Sequence, residues 1–243
     1  MHSAKQWELR MLHHSTDVAR YLELVARATL VACAFRWKFM NQYRWFTCFI
    51  SAELIRSCIL LGLSDHGPLY AGIWSLTQPV LWVFQIGAVF ELLFLIYKQK
   101  QFPGRLTRQL FTYYLPFAVA FSAVVTLYEP LDMTRGPWWL LTTVSVTKWL
   151  AWICLFLLLA QDVLDVNDTP PLQQELVIHR RLLTLYVGLT PGLMGILALL
   201  QDRRVAEIAN FCSEISWLLC LIFWIVFFRP SGLSKAGAYS TRA

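Results

Sequence analysis

WSLTQPVLWVFQIGAVFELLFLIY, residues 74–97, decides the fold. It carries a single charged side chain, Glu91. The hydrocarbon core of a bilayer is ~30 Å thick, and a helix needs roughly 20 mostly apolar residues to cross it. The segment meets that length. Six other segments repeat its character: Val18–Trp37, Tyr43–Leu63, Arg108–Tyr128, Trp138–Ala160, Arg180–Leu200 and Ala206–Phe228. Val18–Trp37 is the least apolar, because it holds Arg20, Glu23 and Arg27.

The whole composition agrees. Hydrophobic residues make up 57% of the 243 and charged ones 15%, against about 25% charged in an ordinary soluble domain. Mean hydropathy is +0.51. Strong breakers separate the segments: Ser64–Pro68, Pro103–Gly104, Glu129–Pro130, Gly136–Pro137 and Pro170–Pro171. The expected fold is all-α, a polytopic integral membrane bundle of about seven transmembrane helices. A polar N-terminal segment covers 1–17, the membrane domain 18–228 and a flexible tail 229–243. If Val18–Trp37 lies on the membrane instead of crossing it, six spans remain. No internal repeat is visible. The N-terminal stretch has no apolar core long enough for a cleavable signal, so the first span is expected to direct insertion.

The 21 Lys and Arg outnumber the 15 Asp and Glu. The positives flank apolar segments, so anionic lipid headgroups at the cytoplasmic face, not nucleic acid, are the expected partner. Lys and Arg in the connections divide twelve to five between the two sides. Arg36, Lys98, Arg180, Arg181 and Arg229 belong to the richer side, which reads as cytoplasmic. That puts the N-terminus outside and the C-terminus inside. Trp37, Trp45, Tyr97 and Trp224 at inner ends, and Trp74, Trp138 and Trp139 at outer ends, read as interfacial anchors. The six cysteines form no CxxC pair and fit no metal spacing. They read as small apolar packing residues, and neither a metal nor a cofactor is expected.

Ionisable groups at bilayer depth are the informative residues, since each costs at least ~2.5–3.5 kcal/mol at a helix centre. The candidates are Glu23, Arg27, Glu53, Arg56, Glu91, Lys148 and Glu214. Matching their depths pairs Glu53 with Lys148 and Arg56 with Glu214. Spacing also allows Glu53 to pair with Arg56 and Glu23 with Arg27. Glu53, Arg56, Lys148 and Glu214 are therefore expected to form one buried polar cluster. Its role is either to fix helix register or to handle a ligand, ion or proton. Glu207, Asn210 and Glu214 share a stripe on the last helix, which forms either a polar vestibule or a hydrogen-bonding seam. A lone mid-span Lys148 invites a retinal Schiff-base reading. Rhodopsins carry that lysine in the last helix, which has none here.

Pro79, Pro116 and Pro191 are expected to interrupt helical bonding, and Gly188, Gly192 and Gly195 give a close-packing face. Asp162 and Asp165 are expected to extend the fifth helix. No HExxH, GxSxG, Walker or GxGxxG motif occurs, so no enzymatic function is expected. A sensor, receptor-like or assembly component is the first expectation. The alternative is a small proton- or ion-coupled transporter that uses the buried Glu, Lys and Arg set.

Overall fold

The computed structural model describes residues 2–37, 39–63, 67–99, 108–128, 137–165, 174–200 and 203–227. Among the described residues all regular structure is helical, with no strand. Seven α-helices follow in chain order: α1 His2–Arg36, α2 Arg44–Leu61, α3 Pro68–Gln99, α4 Leu115–Tyr128, α5 Trp138–Asp165, α6 Gln174–Leu200 and α7 Arg203–Phe227. A π-helical turn, Leu110–Tyr114, runs straight into α4. The breakers at 64–66, 103–104, 129–130 and 170–171 lie outside the described residues, as does the tail.

The helices close into a ring. In order around it stand α1, α2, α3, α5, α6 and α7, and α7 packs back against α1. α3 also touches α6 across the ring, and α4 packs on the flank of α5. Burial repeats every three or four residues, the period of one helix face. On α2 the buried positions include Phe46, Phe49, Ile50, Glu53 and Leu60. On α6 they are Leu176, His179, Arg180, Leu183, Tyr186 and Val187. The outward faces are apolar: Val25, Ile55, Leu76, Phe117, Leu159, Leu185 and Val226, one from each helix in turn, are all exposed. Glu23, Arg27, Glu53 and Glu214 are buried.

Among the described residues, two helical stretches, Pro68–Lys98 and Trp138–Ala160, are long and apolar enough to cross a membrane. Thr112–Val124 and Phe211–Phe227 are shorter apolar stretches. α2 carries Arg44, Glu53 and Arg56 within its 18 residues, which lowers its apolar character as a linear sequence.

Several expectations are corrected. α1 starts at His2, so the polar segment is helical backbone continuous with the first expected span. α6 starts at Gln174, which places Arg180 inside the helix. Arg180 is only 5% exposed, so it is a bundle residue and not a connection charge. Trp224 and Tyr97 are 0% and 4% exposed. They belong to the core and not to an interfacial belt, because both fall on the inward stripe of their helices. Trp45 and Trp138 are exposed. Pro116 follows closely on the π-helical turn Leu110–Tyr114, where regular α-helical bonding is interrupted, as expected of this proline. Pro79 lies inside α3, and just before it the Thr77 hydroxyl donates to the carbonyls of Ile73 (2.9 Å) and Trp74 (3.1 Å). α5 continues to Asp165, as expected of its two acids. A Cβ on Gly188 would lie 3.1 Å from Leu155 Cδ1, so this glycine serves packing of α6 on α5.

Glu91 has a local role. Its carboxylate accepts from the backbone N–H groups of Arg44 (2.7 Å), Trp45 (3.0 Å) and Phe46 (3.2 Å). Those are the first N–H groups of α2, which have no partner within the helix. Tyr43, at the N-cap, supplies no side-chain bond there. One turn before Glu91, Gly87 lets α2 come close: a Cβ there would collide with the Trp45 ring.

Candidate functional site

A cavity of about 820 Å³ lies at the end of the bundle where α2 finishes and α3 begins. Leu61, Leu63, Tyr70 and Trp74 stand at that end of its lining. Its charged walls come from three helices. α1 contributes Arg20, Glu23 and Arg27; α2 contributes Glu53 and Arg56; α7 contributes Glu214. In each wall the residues recur at three- or four-residue intervals, so one helix face carries them. Three arginines meet three glutamates, and the set is formally neutral.

Arg27 is the hub. Its Nη1 donates to Ser57 Oγ at 2.8 Å. Its Nη2 donates to the Glu23 carboxylate and to the Tyr186 hydroxyl (3.4 Å), and lies 4.0 Å from Glu53 Oε2. Arg56 Nη2 donates to both Glu53 oxygens, at 2.8 and 3.0 Å. Arg56 Nη1 donates to Gln78 Oε1 at 2.5 Å. Arg20 Nε stands 3.6 Å from Glu214 Oε1. The Glu214 carboxyl also meets that of Glu23. Removing one member of such a buried pair leaves a charge without its partner, which is costly, whereas the intact pair contributes little net stability.

The structure thus brings Glu53, Arg56 and Glu214 to one cavity. The arginine paired with Glu214 is Arg20, and Arg56 pairs with Glu53. Lys148 is half-buried on α5, which packs chiefly on α3, α4 and α6, and it does not line the cavity. Depth along a helix fixes height in the bundle but not position around the ring, which is why the depth-matched pairing differs. Glu207 and Asn210 lie on the helical backbone of α7, with side chains outside the described set. Sequence reasoning missed that Arg20, Glu23 and Arg27 form a wall of the site. Their shared face was the available signal. Ser57 and Tyr186 carried no signal, because a lone hydroxyl in an apolar segment looks like packing.

The opposite end of the bundle is filled. Trp224 Nε1 donates to His179 Nδ1 at 3.0 Å. The rings of Tyr43 and Phe46 meet the imidazole edge-on, with centroids at 4.7 and 4.8 Å. Among the described residues, no group of three or more His, Cys, Asp or Glu side chains is placed to hold a metal ion. All six cysteines are free thiols. Comparison with known protein families, with curated proteins and with solved structures finds no match.

Proposed function

We propose that this chain is a seven-span membrane protein whose charged chamber receives a small ligand from the outer side, in a sensor or receptor-like role without catalysis. The observation that carries the proposal is the chamber itself: about 820 Å³, open at one end and lined by six charged side chains from α1, α2 and α7. That volume falls within the ~300–1,000 Å³ of small-molecule sites. Ion pairs that only fixed helix register would be expected to close on one another, with no such space between them. The seven-span reading is supported by apolar outward faces on every helix and by buried charges. α1 packs along α7 and α2, which supports its crossing with them. The basic connections set the N-terminus outside and the C-terminus, with its anionic lipid contacts, at the cytoplasmic face.

Cysteine accessibility tests this. In a background without native cysteines, Ser57→Cys is expected to react with a small impermeant thiol reagent applied to intact cells. Phe227→Cys is expected to react only after lysis. An inert Ser57→Cys, or one labelled only after lysis, overturns the outward chamber.

A second reading, a proton- or ion-coupled carrier, is favoured by the contact between the Glu23 and Glu214 carboxyls. It requires proton flux in liposomes that Glu214→Gln abolishes. Absence of flux in the unaltered protein excludes it.

A further inference from the structure

Two acids of the chamber are bonded to each other, and that bond sets the charge of the whole site. The Glu23 and Glu214 carboxyls share a side-chain hydrogen bond where α1 meets α7. Both residues are buried. An ionised carboxylate only accepts, so a bond between two carboxyls needs a proton on one of them. Like charges this close do not both ionise. The other groups facing the pair, among the described residues, are arginines, one paired acid and phenols. On α1, Arg27 bonds Glu23, and Arg20 stands 3.6 Å from Glu214. On α2, Arg56 holds both oxygens of Glu53, which is ionised. Arginine is not deprotonated in proteins. Tyr186 from α6 and Tyr70 from α3 bring hydroxyls only.

Three guanidiniums therefore face two negative charges, and the described lining carries one net positive charge. Donors are in excess as well. Arg27 Nε is buried with no hydrogen-bond partner among the described residues, although buried donors are nearly always paired. A monoanion matches the surplus. A cation would add a second unmatched charge, and a dianion would overshoot. Of the six charged side chains Arg20 is the most exposed, at 37%, so an entering anion meets it first. Trp217 lies one turn from Glu214, and Tyr70 and Trp74 line the chamber at its open end. They offer an apolar body a surface to cover. We infer, on the chamber-binding reading above, that the chamber binds a small organic monoanion, its charged group on Arg20 in place of Glu214 and its apolar body against Trp217 and Trp74, with the proton between Glu23 and Glu214 setting its affinity. When rising pH removes that proton, three negative charges balance three positive ones and the attraction is lost.

The test uses the full chain in a non-ionic detergent, with thermal unfolding followed against three probes that share one apolar body. They are 2-phenylethanesulfonate, 2-phenylethylamine and 2-phenylethanol, each read against the ligand-free protein in the same buffer. A sulfonate stays ionised in mildly acidic and mildly alkaline buffer alike, so any pH dependence of its binding belongs to the protein. It is expected to raise the melting temperature saturably, and the amine and alcohol are not; the alcohol also controls for partition into the micelle. Its half-saturating concentration is expected to rise about tenfold or more from acidic to alkaline buffer, the loss of one net charge at close range. Glu214→Gln replaces the shared proton with amide hydrogens that pH does not remove, and it is expected to abolish that rise. Arg20→Gln removes the surplus charge and is expected to weaken sulfonate binding about tenfold or more in acidic buffer. Because Arg20 is partly exposed, that variant keeps the test decisive if Glu214→Gln fails to fold. A saturable response to the amine or alcohol instead, or undiminished sulfonate binding in Arg20→Gln, overturns the anion class and leaves a ligand chamber standing. Sulfonate binding that ignores pH, or that keeps its pH dependence in Glu214→Gln, overturns the role of the shared proton. No response to any probe overturns the whole proposal, and the Ser57→Cys labelling then judges the chamber separately.

Discussion

The two ends of this bundle use the same helices and opposite chemistry. At one end, α1, α2 and α7 turn charged side chains inward around open space. At the other end, α2, α6 and α7 turn rings inward and fill it: Phe46 and Trp224 lie with centroids 4.7 Å apart, and Tyr186 and Trp224 at 5.6 Å. Tyr186 marks the boundary. Its ring belongs to the aromatic end, its hydroxyl accepts from Arg27, and its carbonyl accepts from Trp217 Nε1 at 3.2 Å. In a bilayer, burying apolar groups between helices gains little over lipid, so close packing and hydrogen bonds must hold the helices together. The filled end supplies the close packing. The open end is held by ion pairs that have alternative partners, which is the property a ligand-responsive site needs.

The largest expected effect breaks the open end. Arg27→Leu leaves Glu23 buried without its arginine and removes the link to Ser57. A loss of about 3–5 kcal/mol is expected, as for other broken buried pairs, read as reversible unfolding in detergent. Adding Glu23→Leu is expected to recover part of it, because the uncompensated charge goes with it. If the double variant is no better than the single, the pair is not the source of the cost. Next comes the filled end. Trp224→Ala removes the ring between Phe46, Tyr186 and His179, and a loss of about 3 kcal/mol is expected from the cavity left behind. It should leave the access of Ser57→Cys to thiol reagents unchanged, whereas Arg27→Leu should alter it. Equal effects of both changes on that labelling would erase the distinction between the two ends.

Glu91→Gln is expected to cost about 1 kcal/mol, the usual worth of an N-terminal cap with its helix-dipole contribution. Its signature is local: the amides of Trp45 and Phe46 should exchange with solvent faster, while the chamber residues stay as they are. Faster exchange at Arg27 or Glu53 instead would mean that the cap controls the chamber.

The helices were legible in the sequence because length and hydropathy are linear properties. Seven segments are marked out by their apolar runs and breakers, and among the described residues seven α-helices stand in those places. Helix extent was less legible. α1 runs back to His2 because helical hydrogen bonding does not require apolar residues. The site was half legible. Intrahelical pairs such as Glu53 with Arg56 and Glu23 with Arg27 follow from spacing alone, and both form. Pairing between helices depends on rotation about each axis and on ring order. A single sequence states neither, so Glu214 met Arg20 and not Arg56. The role of Glu91 is not legible at all, because its partners are backbone amides of another helix, which no side-chain pattern reveals.

The smallest expected effect falls on Arg20, and it separates the two meanings of a charged chamber. An ion pair with one partner more than a third exposed contributes little, within about 1 kcal/mol, because water screens it and the long side chain loses rotamer freedom when held. Arg20→Gln is therefore expected to leave the unfolding free energy almost unchanged, in sharp contrast with Arg27→Leu two turns further along the same helix. Added salt should weaken the Arg20 contribution further and leave the Arg27 effect nearly intact, since screening acts on exposed charges more than on buried ones. If Arg20→Gln instead costs as much as Arg27→Leu, Arg20 is part of the same rigid network. The mouth of the chamber would then be closed by structure and not held by a contact that a ligand can replace.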